Sequence, residues 1–66
     1  MDVVYPHVTV KLTGEDSNAF MMVGRTGREM RRAGVPDAEI VAFREEATSG
    51  DYDHVIQTIM KYVNVI

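Results

Sequence analysis

The spacing of the hydrophobic residues changes twice along the chain, and these changes constrain the fold more than any other feature of the sequence. Val8, Val10 and Leu12 alternate with polar residues, which is typical of a β-strand with one buried face. From Ala19 the apolar residues recur at helical spacing, until residues 63–66 form a short run rich in β-branched side chains. The pattern therefore predicts one strand at each end of the chain and helices between them.

Turn and capping residues divide the central part into three predicted helices. The first covers residues 19–33 and is closed by Gly34, which suits the left-handed position after a helix. The second lies between Gly34 and Gly50, and Gly50 is predicted to cap it. The third begins at Asp51 or Asp53, because either side chain can accept hydrogen bonds from the free N–H groups of a first turn. Three candidate N-caps precede the first helix: Asp16, Ser17 and Asn18.

The predicted fold is a single α+β domain over residues 1–66, in the order β-α-α-α-β, with the two terminal strands paired and the helices packed on one face. Two strands alone are marginally stable. A chain of 66 residues without cysteine also has no disulfide to support its thin core. Association is the remaining source of stability, so we expect a homodimer or a higher oligomer in which strand edges join.

Net charge and hydrophobicity limit the partners. The formal net charge of −3 gives no overall attraction to nucleic acid or to anionic lipid. No stretch approaches the roughly 18 apolar residues of a membrane span, and the first residues lack the basic and apolar regions of a signal peptide. We expect a cytoplasmic protein without a membrane partner, and the absence of cysteine suits that compartment.

The first predicted helix has an apolar face, and it contains two glycines. Gly24 and Gly27 each weaken the helix by about 1 kcal/mol relative to alanine. Their presence indicates the close approach of another backbone or of a ligand. The residues predicted on the buried face are Ala19, Phe20, Val23, Gly27, Met30 and Ala33.

The opposite face of this helix is basic. Four of the seven basic residues lie within eight positions, and three of them, Arg25, Arg28 and Arg32, share one side of the helix. Guanidinium groups bind phosphates and carboxylates through two parallel hydrogen bonds. Met21 lies on the same side and is a candidate for an exposed, adaptable contact. The alternative is a solvated face whose arginines pair with acidic residues, namely Glu29, Glu45 and Glu46.

Two further segments have polar residues that could carry chemistry. A catalytic or metal role for Asp51, Asp53 and His54 needs converging side chains, whereas neighbouring residues at a helix start diverge. Capping explains both aspartates, and no recognisable nucleophile motif is present. Residues 14–18 could form an anion-binding helix start, but they are acidic and lack the lysine of a P-loop, which favours a capped turn. We therefore predict no enzyme, no metal and no cofactor.

Three motifs stand out along the chain: GEDSNAF over residues 14–20, RRAG over 31–34 and EATSGDYDH over 46–54. Together they resemble a family of small bacterial and bacteriophage proteins to which no activity is assigned. The resemblance implies a prokaryotic or phage setting and brings no catalytic residue with it. A phage setting implies a small accessory or anti-host protein, and such proteins are often binding modules.

The predicted function is a non-enzymatic binding module, a phage or bacterial accessory protein that binds a host protein or a small anionic ligand such as a nucleotide. The contact is predicted on the first helix, through Arg25, Arg28, Arg32 and Met21. The alternative is a nucleic-acid-binding protein that uses a helix-turn-helix-like corner at residues 33–36. Against this alternative, the second helix is acidic and repels a duplex, since it carries Asp37, Glu39, Glu45 and Glu46.

Overall fold

The computed structural model describes residues 3–12 and 18–66. Its elements follow the predicted order, and the α+β fold with paired terminal strands is confirmed. The predicted N-caps Asp16 and Ser17, like the rest of the connection before residue 18, lie outside the described residues. The elements are β1 (Tyr5–Val10), α1 (Ala19–Arg32), α2 (Asp37–Ala47), α3 (Tyr52–Tyr62) and β2 (Val63–Val65).

The two strands run parallel, because the three helices return the chain to the end of the sheet where β1 begins. Tyr5 pairs with Val63, but the next pair is Thr9 with Asn64, so β1 bulges between them. The Asn64 side-chain amide donates to the carbonyl oxygen of Pro6 at 2.6 Å and satisfies a peptide group in the bulge. Proline is tolerated there because the bulge requires no N–H donor.

The core lies between the sheet and the three helices. Phe43 of α2 is fully buried, and its ring meets the Tyr62 ring edge-on, with centroids 5.2 Å apart. Val8 and Val10 point into the same core, as their alternation with polar residues predicts. The other buried apolar side chains come from all three helices, from the turn between α1 and α2, and from β2: Met22, Val23, Met30, Val35, Ile40, Ala47, Val55, Ile59 and Val63.

The buried face of α1 differs from the prediction, which placed Phe20 and Ala33 inside. Phe20 is 78% exposed and Ala33 is exposed, whereas Met22 and Thr26 are buried. The Thr26 hydroxyl donates to the carbonyl oxygen of Met22 at 2.8 Å. Because this bond satisfies the hydroxyl within the helix, threonine can enter the core at little cost. The buried face is therefore rotated toward Met22, and hydrophobicity alone did not show it.

The two glycines of α1 have different surroundings. A Cβ atom at Gly27 would lie 3.2 Å from the Arg44 guanidinium and 3.5 Å from Ile40, so the close neighbours here are side chains of α2 and not the backbone that was predicted. At Gly24 no atom of another element in residues 3–12 and 18–66 lies within 4 Å of that position, so the predicted approach of another backbone is wrong there for these residues.

The turn from α1 to α2 forms as predicted at Gly34. This glycine has a φ of +94°, and its N–H donates to the carbonyl oxygen of Arg31 at 3.0 Å. The N–H of Val35 donates to the carbonyl oxygen of Met30 at 3.0 Å, which completes a Schellman motif. Val35 and Met30 are both buried, so the turn is also fixed by an apolar contact.

Gly50 does not cap α2, contrary to the prediction, because the helix ends at Ala47 and Thr48 is its C-cap. The hydroxyl of Thr48 donates to the carbonyl oxygen of Arg44 at 2.8 Å, and that of Ser49 donates to Glu46 at 2.7 Å. These bonds satisfy terminal carbonyl groups without a left-handed residue. Glycine is required at position 50 for another reason, since a Cβ atom there would lie 2.8 Å from the His54 ring.

Candidate binding site

The four residues predicted as a binding surface lie together on α1. Met21, Arg25, Arg28 and Arg32 are spaced by four, three and four residues, so they form one stripe along the helix. At a rise of about 1.5 Å per residue the stripe is about 16 Å long. Met21 is 55% exposed, Arg28 and Arg32 are exposed, and Arg25 is half-buried. We call these four residues the α1 stripe.

Carboxylates among the described residues neutralise part of the positive charge of α1. Arg32 pairs with Glu29 on the same helix, with Nη1 and Oε2 3.3 Å apart. Arg31, outside the stripe, pairs with Asp37 at 3.2 Å across the turn. Within residues 3–12 and 18–66, no carboxylate forms an ion pair with Arg28. Neutralisation by neighbouring acids therefore accounts for Arg32, whereas Arg28 presents an exposed positive charge to solvent.

The other two acidic partners proposed for the arginines behave differently. Glu46 accepts hydrogen bonds from the Lys61 ammonium and from the Tyr62 hydroxyl, each at 2.7 Å. These bonds, that from Lys61 first, hold the pKa of Glu46 below its usual value. They also raise the pKa values of Lys61 and Tyr62. Glu45 is exposed on α2. Glu46 therefore joins α2 to α3, and this role has no signal in the sequence.

An open groove of about 310 Å³ separates α1 from β1. The α1 stripe contributes Arg32 to its wall, with Glu29 and Ala33 beside it. The opposite wall is formed by His7, Val8 and Thr9 of β1. The groove therefore lies along one side of β1, with charged groups of α1 facing it.

Within residues 3–12 and 18–66, β2 is the only strand that pairs with β1, so the side of β1 that borders this groove is a free edge of the described sheet. On the other side, Ile66 donates to the carbonyl oxygen of Val10 at 3.0 Å and accepts from the N–H of Leu12 at 3.2 Å. Successive peptide groups of a strand point in opposite directions. The peptide groups of Thr9 and Lys11 therefore point away from β2. In agreement, the Lys11 carbonyl oxygen lies 3.5 Å from the Arg25 guanidinium.

The sequence did not reveal that this edge and the α1 stripe are neighbours. The alternation of His7, Thr9 and Lys11 with buried residues was visible, and it marked one face of a strand. Which helix would lie beside that strand depends on the tertiary arrangement, and no local pattern specifies it.

Of the polar residues Asp51, Asp53 and His54 at the start of α3, Asp51 and His54 make contacts that support the fold. The Asp51 carboxylate accepts from the His54 backbone N–H at 2.9 Å, so Asp51 is the N-cap, one of the two predicted candidates. The His54 ring folds back over Gly50, where its Nε2 lies 2.8 Å from the carbonyl oxygen of Glu46. Asp53 is exposed. Asp51 therefore caps α3, and His54 joins α3 to the end of α2.

The Tyr5 hydroxyl donates to the Glu39 carboxylate, which attaches the start of β1 to α2. This hydrogen bond, assisted by burial and by the charge of Glu39, raises the pKa of Tyr5 to about 12. The Tyr5 ring also stacks on the Tyr62 ring, with centroids 6.1 Å apart. Neither contact has a sequence signal, because the partners lie far apart along the chain.

In the described part of the chain, no group of three or more histidine, aspartate or glutamate side chains is placed to hold a metal ion. No helix within it is long and apolar enough to cross a membrane.

Comparison of the chain with protein-family models, with curated proteins and with solved structures finds no match. The resemblance to small bacterial and bacteriophage proteins therefore stays a prediction.

Proposed function

We propose that this protein is a non-enzymatic binding module that captures an anionic partner on the α1 stripe. The observation that carries the proposal is the exposed guanidinium of Arg28, with which no carboxylate of residues 3–12 or 18–66 forms an ion pair, between Arg25 and Arg32 on one helix face. Three guanidinium groups in a row bind carboxylates or phosphates through forked, charge-assisted hydrogen bonds. Met21, at the N-terminal end of the stripe, adds an adaptable apolar contact.

The distribution of charge supports an oriented encounter. The α1 stripe is positive, whereas the exposed acids Asp37, Glu39 and Glu45 belong to α2. An anionic partner is attracted to the α1 stripe and repelled by the exposed acids of α2, although the net charge is −3. Local charge of this kind favours a defined docking orientation over non-specific adsorption.

The nucleic-acid alternative receives less support from the same charges. The Gly34 turn does join α1 to α2, but the second helix of a helix-turn-helix is the one that enters the major groove. Here that helix is α2, whose exposed acids Asp37, Glu39 and Glu45 repel phosphates.

Self-association is a further part of the proposal. Val4 and Met60 are exposed, and both line an open groove of about 540 Å³ beside the start of β1. Val65 and Ile66 are also exposed at the end of β2. Apolar groups next to strand ends favour the joining of two copies. Sedimentation equilibrium measures this directly, and a monomer at all accessible concentrations contradicts it.

The binding proposal is tested with anionic probes and two matched triple variants. The first, Arg25→Ala with Arg28→Ala and Arg32→Ala, removes the charges of the α1 stripe. The control removes three charges elsewhere, at Arg31, Arg44 and Lys61, so both variants have the same net charge. Fluorescence anisotropy is measured with a labelled acidic peptide, a labelled nucleotide and a labelled single-stranded oligonucleotide.

We expect the stripe variant to lose at least tenfold in affinity for the best probe, while the control changes less than threefold. Equal losses in both variants mean that only net charge matters, and they contradict the proposal. The absence of binding to any probe by the unmodified protein also contradicts it. A preference for the oligonucleotide with a steep salt dependence favours the nucleic-acid alternative.

A further inference from the structure

We propose that the anionic partner is an extended acidic protein segment, which adds as a third strand to the free edge of β1 beside α1. This inference rests on the proposed function and specifies its partner and its mode of binding. It combines two features that the fold places side by side: a strand edge with outward-facing peptide groups, and the α1 stripe, whose Arg32 lines the groove beside that edge.

The strand edge provides the first half of the site. The peptide groups of Thr9 and Lys11 point away from β2, since those of Val10 and Leu12 are directed at it, and Thr9 lines the groove. The Lys11 carbonyl oxygen accepts from the Arg25 guanidinium, which an added strand would displace. An exposed edge of this kind is a template for a further strand, and main-chain hydrogen bonds then supply affinity without regard to sequence. A free phosphate or a nucleic acid cannot form this ladder, so the edge favours a polypeptide.

The α1 stripe provides the second half and selects the side chains. Arg25, Arg28 and Arg32 are separated along the helix axis by about 4.5 and 6 Å. Side chains on one face of an extended strand repeat every two residues, or about 6.7 Å. Flexible arginine side chains cover that difference. Carboxylates at alternate positions of the added strand would pair with Arg28 directly, and with Arg25 and Arg32 in exchange for their present partners.

One acidic group in the groove further limits the partner. Glu29 lines the groove together with Arg32, and the two form an ion pair. A carboxylate of the partner is therefore attracted by Arg25 and Arg28 and is opposed near Glu29. We expect Glu29→Gln to tighten the binding of a peptide that is acidic throughout, whereas Arg28→Ala weakens it about tenfold. Arg31→Ala is the matched control, with an expected change below twofold.

The experiment uses three peptides of matched length. The first alternates glutamate with threonine. The second has the same composition, but its glutamates form one block. The third has the sequence of the first, with N-methyl groups on every second amide. It is made in two versions, methylated at the odd or at the even positions, so that one version blocks the amides that face β1. Affinities are measured by anisotropy, and backbone amide exchange of the protein is followed by NMR.

We expect the alternating peptide to bind at least tenfold tighter than the block peptide and than one register of the methylated peptide. Amide exchange of Thr9 and Lys11 slows on binding, while that of Leu12, already bonded to Ile66, changes little. Equal binding of all peptides without protection of Thr9 overturns strand addition and leaves the anionic site intact. If no peptide binds, but a nucleotide or oligonucleotide does so through the α1 stripe, strand addition is wrong while the proposed binding of anions stands. If no anion binds, both proposals fail.

Discussion

The two phenylalanines of the chain provide a direct test of how its core is built. The sequence pattern placed both on buried helix faces, whereas the structure buries Phe43 completely and leaves Phe20 78% exposed. Replacement of each by alanine removes the same atoms from opposite environments. The pair therefore measures burial with residue type held constant.

The expected magnitudes differ by several kcal/mol. Truncation of a fully buried phenylalanine costs about 3–5 kcal/mol, because apolar contacts are lost and a cavity remains. Phe43 also loses its edge-on contact with Tyr62. A domain of 66 residues has a total unfolding free energy of about 3–10 kcal/mol. Phe43→Ala therefore removes much or all of the stability, whereas Phe20→Ala changes it by less than about 0.5 kcal/mol.

Urea denaturation followed by circular dichroism measures both values. Since Phe43→Ala can unfold the chain entirely, Phe43→Leu is included as a milder variant, with an expected loss of about 1–2 kcal/mol. The transition midpoint falls from Phe20→Ala to Phe43→Leu to Phe43→Ala, while the slope of the transition stays constant. A loss above 1.5 kcal/mol (about three times the expected limit) for Phe20→Ala, or a loss below 1 kcal/mol for Phe43→Ala (well under the range for buried aromatics), refutes the described packing.

Three further predictions concern glycine, acid and base. Gly24→Ala, at an open helical position, raises the unfolding free energy by about 1 kcal/mol. Gly34→Ala, at a φ of +94°, lowers it by about 1 kcal/mol. The thermal melting temperatures of the two variants must therefore shift in opposite directions. Glu46 has a lowered pKa in the folded state, so its contribution is present above its ordinary value of 4.5 and is lost as the pH falls through the folded value. Glu46→Gln should therefore flatten the acid limb of the stability profile, and an unchanged limb contradicts the hydrogen-bonded arrangement. Tyr5, with a pKa of about 12, contributes stability that is complete below its ordinary value of 10.0 and is lost as the pH rises toward 12; in an ultraviolet titration, Glu39→Gln should return its ionisation toward 10.0.

Local signals in the sequence were sufficient for the order of the elements and for several of their ends. Gly34 adopts the left-handed conformation that its position after α1 predicts, and Asp51 caps α3 through its own carboxylate. These features depend on bonds between residues a few positions apart, so a single stretch of sequence contains both partners.

Features that depend on tertiary packing were not predictable in this way. The burial of Thr26 depends on a bond to Met22 and on which side of α1 meets the core. The position of Glu46 between Lys61 and Tyr62 depends on how α2 crosses α3. The residues of the α1 stripe were identified from helical spacing, but their proximity to the free edge of β1 arises only when the whole chain is folded.

The pairing of the two ends of the chain has a consequence for the order of folding. The contacts within and between consecutive helices are local, whereas Val10 must find Val65 across nearly the whole sequence. Contacts between residues far apart in the sequence have a large entropic cost of loop closure. We therefore expect the helices to assemble first and the two strands to pair last. The edge of β1 is then a property of the completed fold alone. A partner that adds to this edge selects fully folded molecules and, by mass action, holds the two ends of the chain together.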